Sequence, residues 1–187
     1  SLFEAFHHAA FQVGSVITTT GFATTDFDLW PQLSKSLLVM IMFVGACAGS
    51  TGGGIKVSRI IILLKTVKQE MIYFVHPRSV KTIKLDGKAL DHETVRDVSA
   101  FMVTYVIIFE ISFLILAFDN LDMVTNFTAV TATINNIGPG LELVGPTRNF
   151  ALFSPVAKYV LMFDMLAGRL ELFPLLLLFT PSVWKKG

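Results

Sequence analysis

The sequence predicts an all-α polytopic membrane protein built from repeated helix–loop–helix units. Three observations carry this reading. Apolar runs reach membrane-spanning length, shorter apolar runs end in polar turns containing glycine, and the chain resembles itself at a fixed offset.

Composition agrees. Of 187 residues, 53% are hydrophobic and seventeen are Phe, and the mean hydropathy is +0.65. An ordinary soluble domain is less apolar. Charged residues make up 16% of the chain and are clustered, which leaves the apolar stretches long. A net charge of +1 gives no argument for nucleic acid. Cys47 is the one cysteine, which excludes an intramolecular disulfide or a cysteine metal cluster. Ser1 opens directly on an apolar segment, without an initiator Met or a signal peptide, as expected for a fragment of a longer polytopic protein.

Taken in order, residues 2–18 form a short apolar segment that runs into ITTTGFATTDF (17–27). This reads as a re-entrant helix that enters the membrane and turns back. Residues 37–64 are long enough to span, yet GACAGSTGGGIK (45–56) interrupts them. The flanking pieces LLVMIMFV and VSRIIILL are each too short to cross alone. A cationic linker follows over 66–97, and within it IKLDGKAL (83–90) sets Asp-Gly between two short alternating runs, a hairpin signal. Residues 98–118 carry a single charge, Glu110, over 21 residues and span. Residues 123–135 read as a second re-entrant helix. Residues 159–180 are again of spanning length but carry Asp164, Arg169 and Glu171.

Lys and Arg set the orientation. Nine of the fifteen lie between Lys56 and Arg96, and Lys185 and Lys186 close the chain, whereas Lys35, Arg148 and Lys158 flank the other side. The linker and the C-terminus are therefore expected in the cytoplasm, with the re-entrant tips outside.

The repeat appears when Gly21 is set against Gly138, an offset of 117. ITTTGF (17–22) then falls on INNIGP (134–139), with Thr19 on Asn136 and Thr20 on Ile137. The same offset places Thr51 and Gly52 on Gly168 and Arg169. The unit is spanning helix, re-entrant helix, extended turn, spanning helix, and the first copy lacks its opening helix.

Irregular backbone at membrane depth survives only where it is buried in protein or lines an aqueous path. A short helix that ends in an extended T-T-G-F or N-I-G-P segment can turn a row of carbonyls toward an axis. Such carbonyls replace the hydration shell of a dehydrated cation. Glycine fits there because a side chain would crowd the axis or forbid the dihedral. The C-terminal dipole ends of the re-entrant helices also favour a cation.

TTTGF (18–22), GACAGSTGGGIK (45–56), NNIGPG (135–140) and AGRLELFP (167–174) resemble the potassium-translocating subunits of the Trk/Ktr/HKT superfamily, nearest its TrkH branch. The resemblance covers nearly the whole chain. It implies four helix–pore-loop–helix repeats around a pseudo-fourfold, potassium-channel-like pore. Residues 1–70 would be the third repeat without its first helix, 71–97 a cytoplasmic linker, and 98–187 the whole fourth repeat. It further implies potassium uptake across the inner (cytoplasmic) membrane by a multi-pass homodimer, gated by a cytosolic nucleotide-binding ring. The filter would be Thr19, Thr20, Gly21 and Phe22 with Asn136, Ile137, Gly138 and Pro139, holding K+ as the transported ion and needing no cofactor.

The gate has a physical argument beside the resemblance. Five glycines in the ten residues 45–54 should not hold a helix. The offset sets this loop opposite Arg169, and an arginine in a spanning helix should face an aqueous or protein cavity. A fixed positive charge beside a cation path is an electrostatic barrier. Gly49, Gly52, Gly53, Gly54 and Arg169 are thus the candidate gate. The competing role for Arg169 is to pair with Asp164 or Glu171 and hold helices together.

Other features carry less. GSTGGGIK misses a phosphate-cradling loop, because Ile55 precedes Lys56 and Val57 is neither Ser nor Thr. The glycosylation triplet Asn126-Phe-Thr128 lies in the second re-entrant helix, at membrane depth. Adjacent His7 and His8 face different sides of a helix. Glu110 serves either function or a helix–helix hydrogen bond. Asp26, Asp28 and Glu142 lie just outside the filters, where they concentrate cations or are simply solvated. No nucleophile–base or metal constellation supports an enzyme. A sodium- or proton-coupled alternating-access carrier is the rival reading, but such carriers usually contain inverted repeats, and both copies here run in the same direction.

Overall fold

Seven α-helices and one small hairpin make up the described part of the computed structural model, namely residues 2–47, 49–50, 52–76, 82–85, 87–170 and 172–178. The first unit contains α1 (Leu2–Ile17), α2 (Gln32–Met42) and α3 (Val57–Val75). The second contains α4 (His92–Leu116), α5 (Met123–Ile134), α6 (Pro155–Leu170) and α7 (Leu172–Leu178). Between the units, β1 (Lys84–Leu85) pairs antiparallel with β2 (Lys88–Ala89), Leu85 opposite Lys88, where the Asp-Gly pair marks a hairpin. This is an all-α membrane fold, and His92–Asp119 is long and apolar enough to cross a bilayer.

The helix α5 sits at the centre of the second unit, packed between α4 and α6. Asp122 caps it by accepting the Thr125 amide at 2.8 Å. From Thr125 to Ile134 every residue but Phe127 is buried. A helix so rich in threonine survives in an apolar core because its hydroxyls bond back one turn. Thr128 donates to the carbonyl of Val124, Thr131 to Phe127 and Thr133 to Ala129, each at 2.8 Å. Phe127 meets Phe109, Phe113 and Phe43 at ring-centroid distances of 5.3, 6.2 and 6.1 Å. Phe43 follows α2, so this cluster joins the two units.

Helix bounds depart from the hydropathy reading in two places. The α4 helix starts at His92 rather than 98, because the polar HETVRD run also favours helix. The α3 helix runs on to Val75, into the stretch expected as linker; His76 leaves the helix at φ −132°, in the extended range favoured before proline. Within the span expected over 159–180, the described residues are helical over 159–170 (α6) and 172–178 (α7), with Glu171, Phe179 and Thr180 outside the described residues. Pro155 opens α6, a position where its missing N–H costs nothing.

Residues 45–56 separate α2 from α3 as a closed loop. Gly45 and Lys56 form a parallel bridge, with the Gly45 amide on the Ile55 carbonyl at 2.8 Å. A side chain at Gly45 would stand 2.7 Å from the Gly53 carbonyl oxygen, so the base of the loop closes only with glycine there.

Candidate functional site: two turns and a glycine loop

The turns that end α1 and α5 have the same backbone. After α1, the amide of Thr18 bonds the Gly14 carbonyl (3.1 Å), Thr19 bonds Val16 (3.1 Å), and Thr20 and Gly21 both reach Ser15 (2.9 and 3.5 Å). After α5, Asn135 bonds Thr131 (3.2 Å), Asn136 bonds Thr133 (3.0 Å), and Ile137 and Gly138 both reach Ala132 (2.8 and 3.3 Å). Each partner is displaced by the sequence offset of 117. Dihedrals repeat too, with Thr19 and Asn136 left-handed at φ +54° and +56°, and Gly21 and Gly138 at +77° and +108°. A non-glycine residue held left-handed is costly and clusters at functional sites.

The two turns touch. A side chain at Gly21 would land on the Ile137 carbonyl oxygen and 3.3 Å from Cδ of Pro139, whereas one at Gly138 would meet nothing within 4 Å. Ile137 turns its side chain into a cluster with Val16, Phe27, Leu38, Met42 and Leu141. The first turn is fixed at its far end by the Ser15 hydroxyl, which donates to the Phe22 carbonyl at 2.6 Å. The Phe22 side chain itself is exposed.

Beneath these turns lies the glycine loop. The Gly53 amide approaches Thr19 Oγ1 at 3.4 Å. A side chain at Gly53 would stand 2.8 Å from the Asn135 carbonyl oxygen, and one at Gly54 would strike the Asn135 carboxamide oxygen. From the opposite side, a side chain at Gly168 would strike the Ile134 carbonyl oxygen, and Asn136 Nδ2 donates to the Met165 carbonyl at 3.0 Å. Three glycines of two elements therefore make room for one turn.

A cavity of about 290 Å³ opens below, lined by Gly52, Gly54, Lys56, Arg59 and Tyr105 on one side and Gly168 and Arg169 on the other. Gly49 makes no such close approach. Asp164 is buried and accepts from the Ser112 hydroxyl of α4 at 2.8 Å, so among the described residues it is paired with Ser112 rather than with Arg169. Glu171 lies outside the described residues, as do Lys185 and Lys186.

The carboxylates of the outer face are engaged with the protein. Lys35 lies 3.7 Å from Asp28 and 4.0 Å from Glu142, bridging the two units. Asp26 accepts the Asp28 amide at 3.1 Å and the Thr147 hydroxyl at 3.2 Å. His7 and His8 meet edge to face at 5.6 Å, and His8 Nδ1 shares a 3.0 Å hydrogen bond with Thr24. No cluster of three or more metal-ligating side chains occurs among the described residues. Asn126 is buried in α5, and Glu110 lies on an exposed face of α4.

Sequence reasoning missed Tyr105 and Asn135. Tyr105 is one of several hydroxyl-bearing residues of the 98–118 span, with Ser99, Thr104 and Ser112, and Asn135 is the first residue of NNIGPG, so neither is marked by sequence alone. Lys35 was seen as an orientation marker and not as a bridge.

Two short helices, each ending in the same left-handed turn and sharing a glycine loop, define an all-α membrane protein of the helix–pore-loop–helix class. The chain belongs to the TrkH family, described as cation transport proteins, whose profile matches residues 2–186. It is 44% identical over 186 residues to the Trk system potassium uptake protein TrkH of Salmonella typhimurium, covering 100% of this chain and 38% of that protein. It is 34% identical over 184 residues to TrkG of Escherichia coli K12, covering 98% of this chain and 38% of that one. The crystal structure of the potassium transporter TrkH from Vibrio parahaemolyticus is similar at a TM-score of 0.89 and 45% identity, over 99% of this chain and 39% of that chain. The chain thus spans less than half the length of the relatives it matches.

Proposed function

We propose that this chain supplies two of the pore loops of a potassium-uptake transporter in the inner membrane. The observation that carries the reading is the repeated turn, with its shared hydrogen bonds, paired left-handed residues and direct contact between Gly21 and Ile137. The names of the relatives, potassium uptake proteins of the Trk system, point to the same cargo.

On this reading the carbonyls of Thr19, Thr20, Gly21, Asn136, Ile137 and Gly138 replace water around a dehydrated K+, with Phe22 and Pro139 closing each turn. The glycine loop (Gly49, Gly52, Gly53, Gly54) and Arg169 form the gate on the cytoplasmic side, the arginine acting as an electrostatic barrier. The complete protein carries four such repeats in pseudo-fourfold array, with residues 1–70 in the third and 98–187 in the fourth. It works as a homodimer with a cytosolic nucleotide-binding ring, its exposed apolar faces covered by lipid and its partner. K+ is cargo, and no cofactor takes part. Both turns emerge from their helices in the same sense, which supports a pore over an alternating-access carrier built on inverted repeats.

The test is flux in liposomes containing the complete transporter, with K+ and Na+ compared. Selective K+ flux that Gly138→Ser makes less selective supports the reading. An unchanged permeability ratio in that variant refutes the filter.

A further inference from the structure

We propose that Tyr105 is a positioning residue for the filter, its hydroxyl fixing Asn135 and thereby tying the second filter turn to the seat of the glycine loop. This rests on the reading of 135–139 as filter and 45–56 as gate.

Tyr105 lies on α4 and is 4% exposed. Its hydroxyl donates to Asn135 Oδ1 at 3.1 Å. The other end of that carboxamide donates from Nδ2 to the Thr131 carbonyl at 2.9 Å. Asn135 is fully buried, so both of its polar ends need partners, and an unmade bond there is expensive. Asn135 immediately precedes Asn136, the left-handed residue that turns the chain from α5 into Ile137 and Gly138. The orientation of the carboxamide and the start of the filter turn are therefore set together.

The same carboxamide is the surface on which the glycine loop rests, because Gly54 abuts its oxygen and Gly53 abuts the Asn135 backbone carbonyl. The loop also reaches Thr19, the equivalent left-handed residue of the first turn. On its other side the Tyr105 ring stacks on Phe101 at 6.3 Å, and Phe101 carries the Arg59 guanidinium 3.9 Å from its centroid. Arg59 stands in the first turn of α3, the helix into which the loop runs. The contacts close a ring: loop, Asn135, Tyr105, Phe101, Arg59, α3 and back to the loop. A chain of packed and hydrogen-bonded groups of this kind carries coupling between sites. Filter geometry and loop position are then not independent.

The experiment measures the K+-to-Na+ flux ratio, per folded protein, in liposomes containing the complete transporter. The variants are Tyr105→Phe, Asn135→Ala, the double variant and Gly54→Ala, with Gly138→Ser as the control for the filter itself. Tyr105→Phe keeps the ring and its stacking, so a purely structural role predicts no change in ratio. The inference predicts that the ratio falls about fivefold, the scale of one lost hydrogen bond, and that the double variant is no worse than Asn135→Ala alone, since both remove the same contact. Gly54→Ala, which approaches the same carboxamide from the loop, lowers the ratio in the same direction. A wild-type ratio in Tyr105→Phe or in Gly54→Ala, or additive losses in the double variant, overturns the inference while a response to Gly138→Ser leaves the filter standing. An unmoved ratio in Gly138→Ser overturns the filter and this inference together.

Discussion

The carbonyl oxygen of Ile137 occupies the place that a side chain at Gly21 would need. Two turns 117 residues apart in sequence are thus locked edge to edge, and the glycine in one is required by the backbone of the other. The equivalent glycine in the second turn faces open space.

This asymmetry separates the two glycines experimentally. Gly21→Ala meets both a backbone clash and a left-handed φ of +77°, and is expected to lose about 2 kcal/mol or more of stability and most of its flux. Gly138→Ser meets only the strain of φ +108°, so it should assemble and conduct with reduced selectivity. Thermal stability in detergent, followed by size exclusion, checks the first half, and permeability ratios check the second. Equal stability losses in the two variants would contradict the assigned contact.

Beside the two turns, the carboxylates of Asp28 and Glu142 flank one ammonium, Lys35, and Asp26 accepts the Asp28 amide next to them. Lys35→Met removes that cation and makes the mouth more negative. Apparent affinity for K+ should rise at low ionic strength and return to the wild-type value at ~1 M salt, where the screening length is about 3 Å. An affinity gain that survives high salt would point to a changed turn structure instead of a changed field.

Asp122 supplies the cap of α5. Partial burial raises its pKa, but the Thr125 side-chain and backbone bonds outweigh this, and the net shift is downward from the ordinary 3.8. A carboxylate with a depressed folded pKa stabilises the fold fully above its ordinary value, and the contribution fades as pH falls through the lowered one. Asp122→Ala should therefore cost about 1 kcal/mol at neutral pH, and wild type and variant should converge below pH 3.8. Thermal melts across pH 3 to 7 provide the measurement, and a constant gap would remove the ionised cap from the account.

Much of this arrangement was legible because it is local. The two short helices, the interrupted span and the hairpin each announce themselves through hydropathy, glycine and turn residues within one contiguous stretch of sequence. The offset that aligned Thr19 with Asn136 also aligned their hydrogen bonds, since the turn is made by residues within six of each other. What stayed hidden depends on distant pairing. Ser112 and Asp164 are 52 residues apart, Tyr105 and Asn135 are 30 apart, and nothing in either segment names its partner.

Arg169 and Gly52 line one cavity, and Asp164 Oδ1 accepts from Ser112, so removal of the arginine takes no hydrogen bond or ion pair from Asp164 among the described residues. That speaks against a staple through Asp164, while Glu171, the other partner the sequence offers, lies outside the described residues. At ~5 Å and an effective dielectric of ~20, a fixed unit charge opposes a monovalent cation by roughly 3 kcal/mol, about a hundredfold in rate. The cavity holds about 290 Å³, room for several waters, so screening reduces the gain below that ceiling. Arg169→Ala should raise K+ flux per folded protein by about tenfold or more in the absence of any regulatory subunit. If the loop is the gate proposed above, removing residues 52–54 should give a leaky pore whose selectivity also falls, because the loop also rests against Asn135 and Thr19. Flux must be normalised to folded protein, since lost expression would otherwise imitate a closed gate. A normalised flux in Arg169→Ala equal to wild type would return the arginine to a purely structural role.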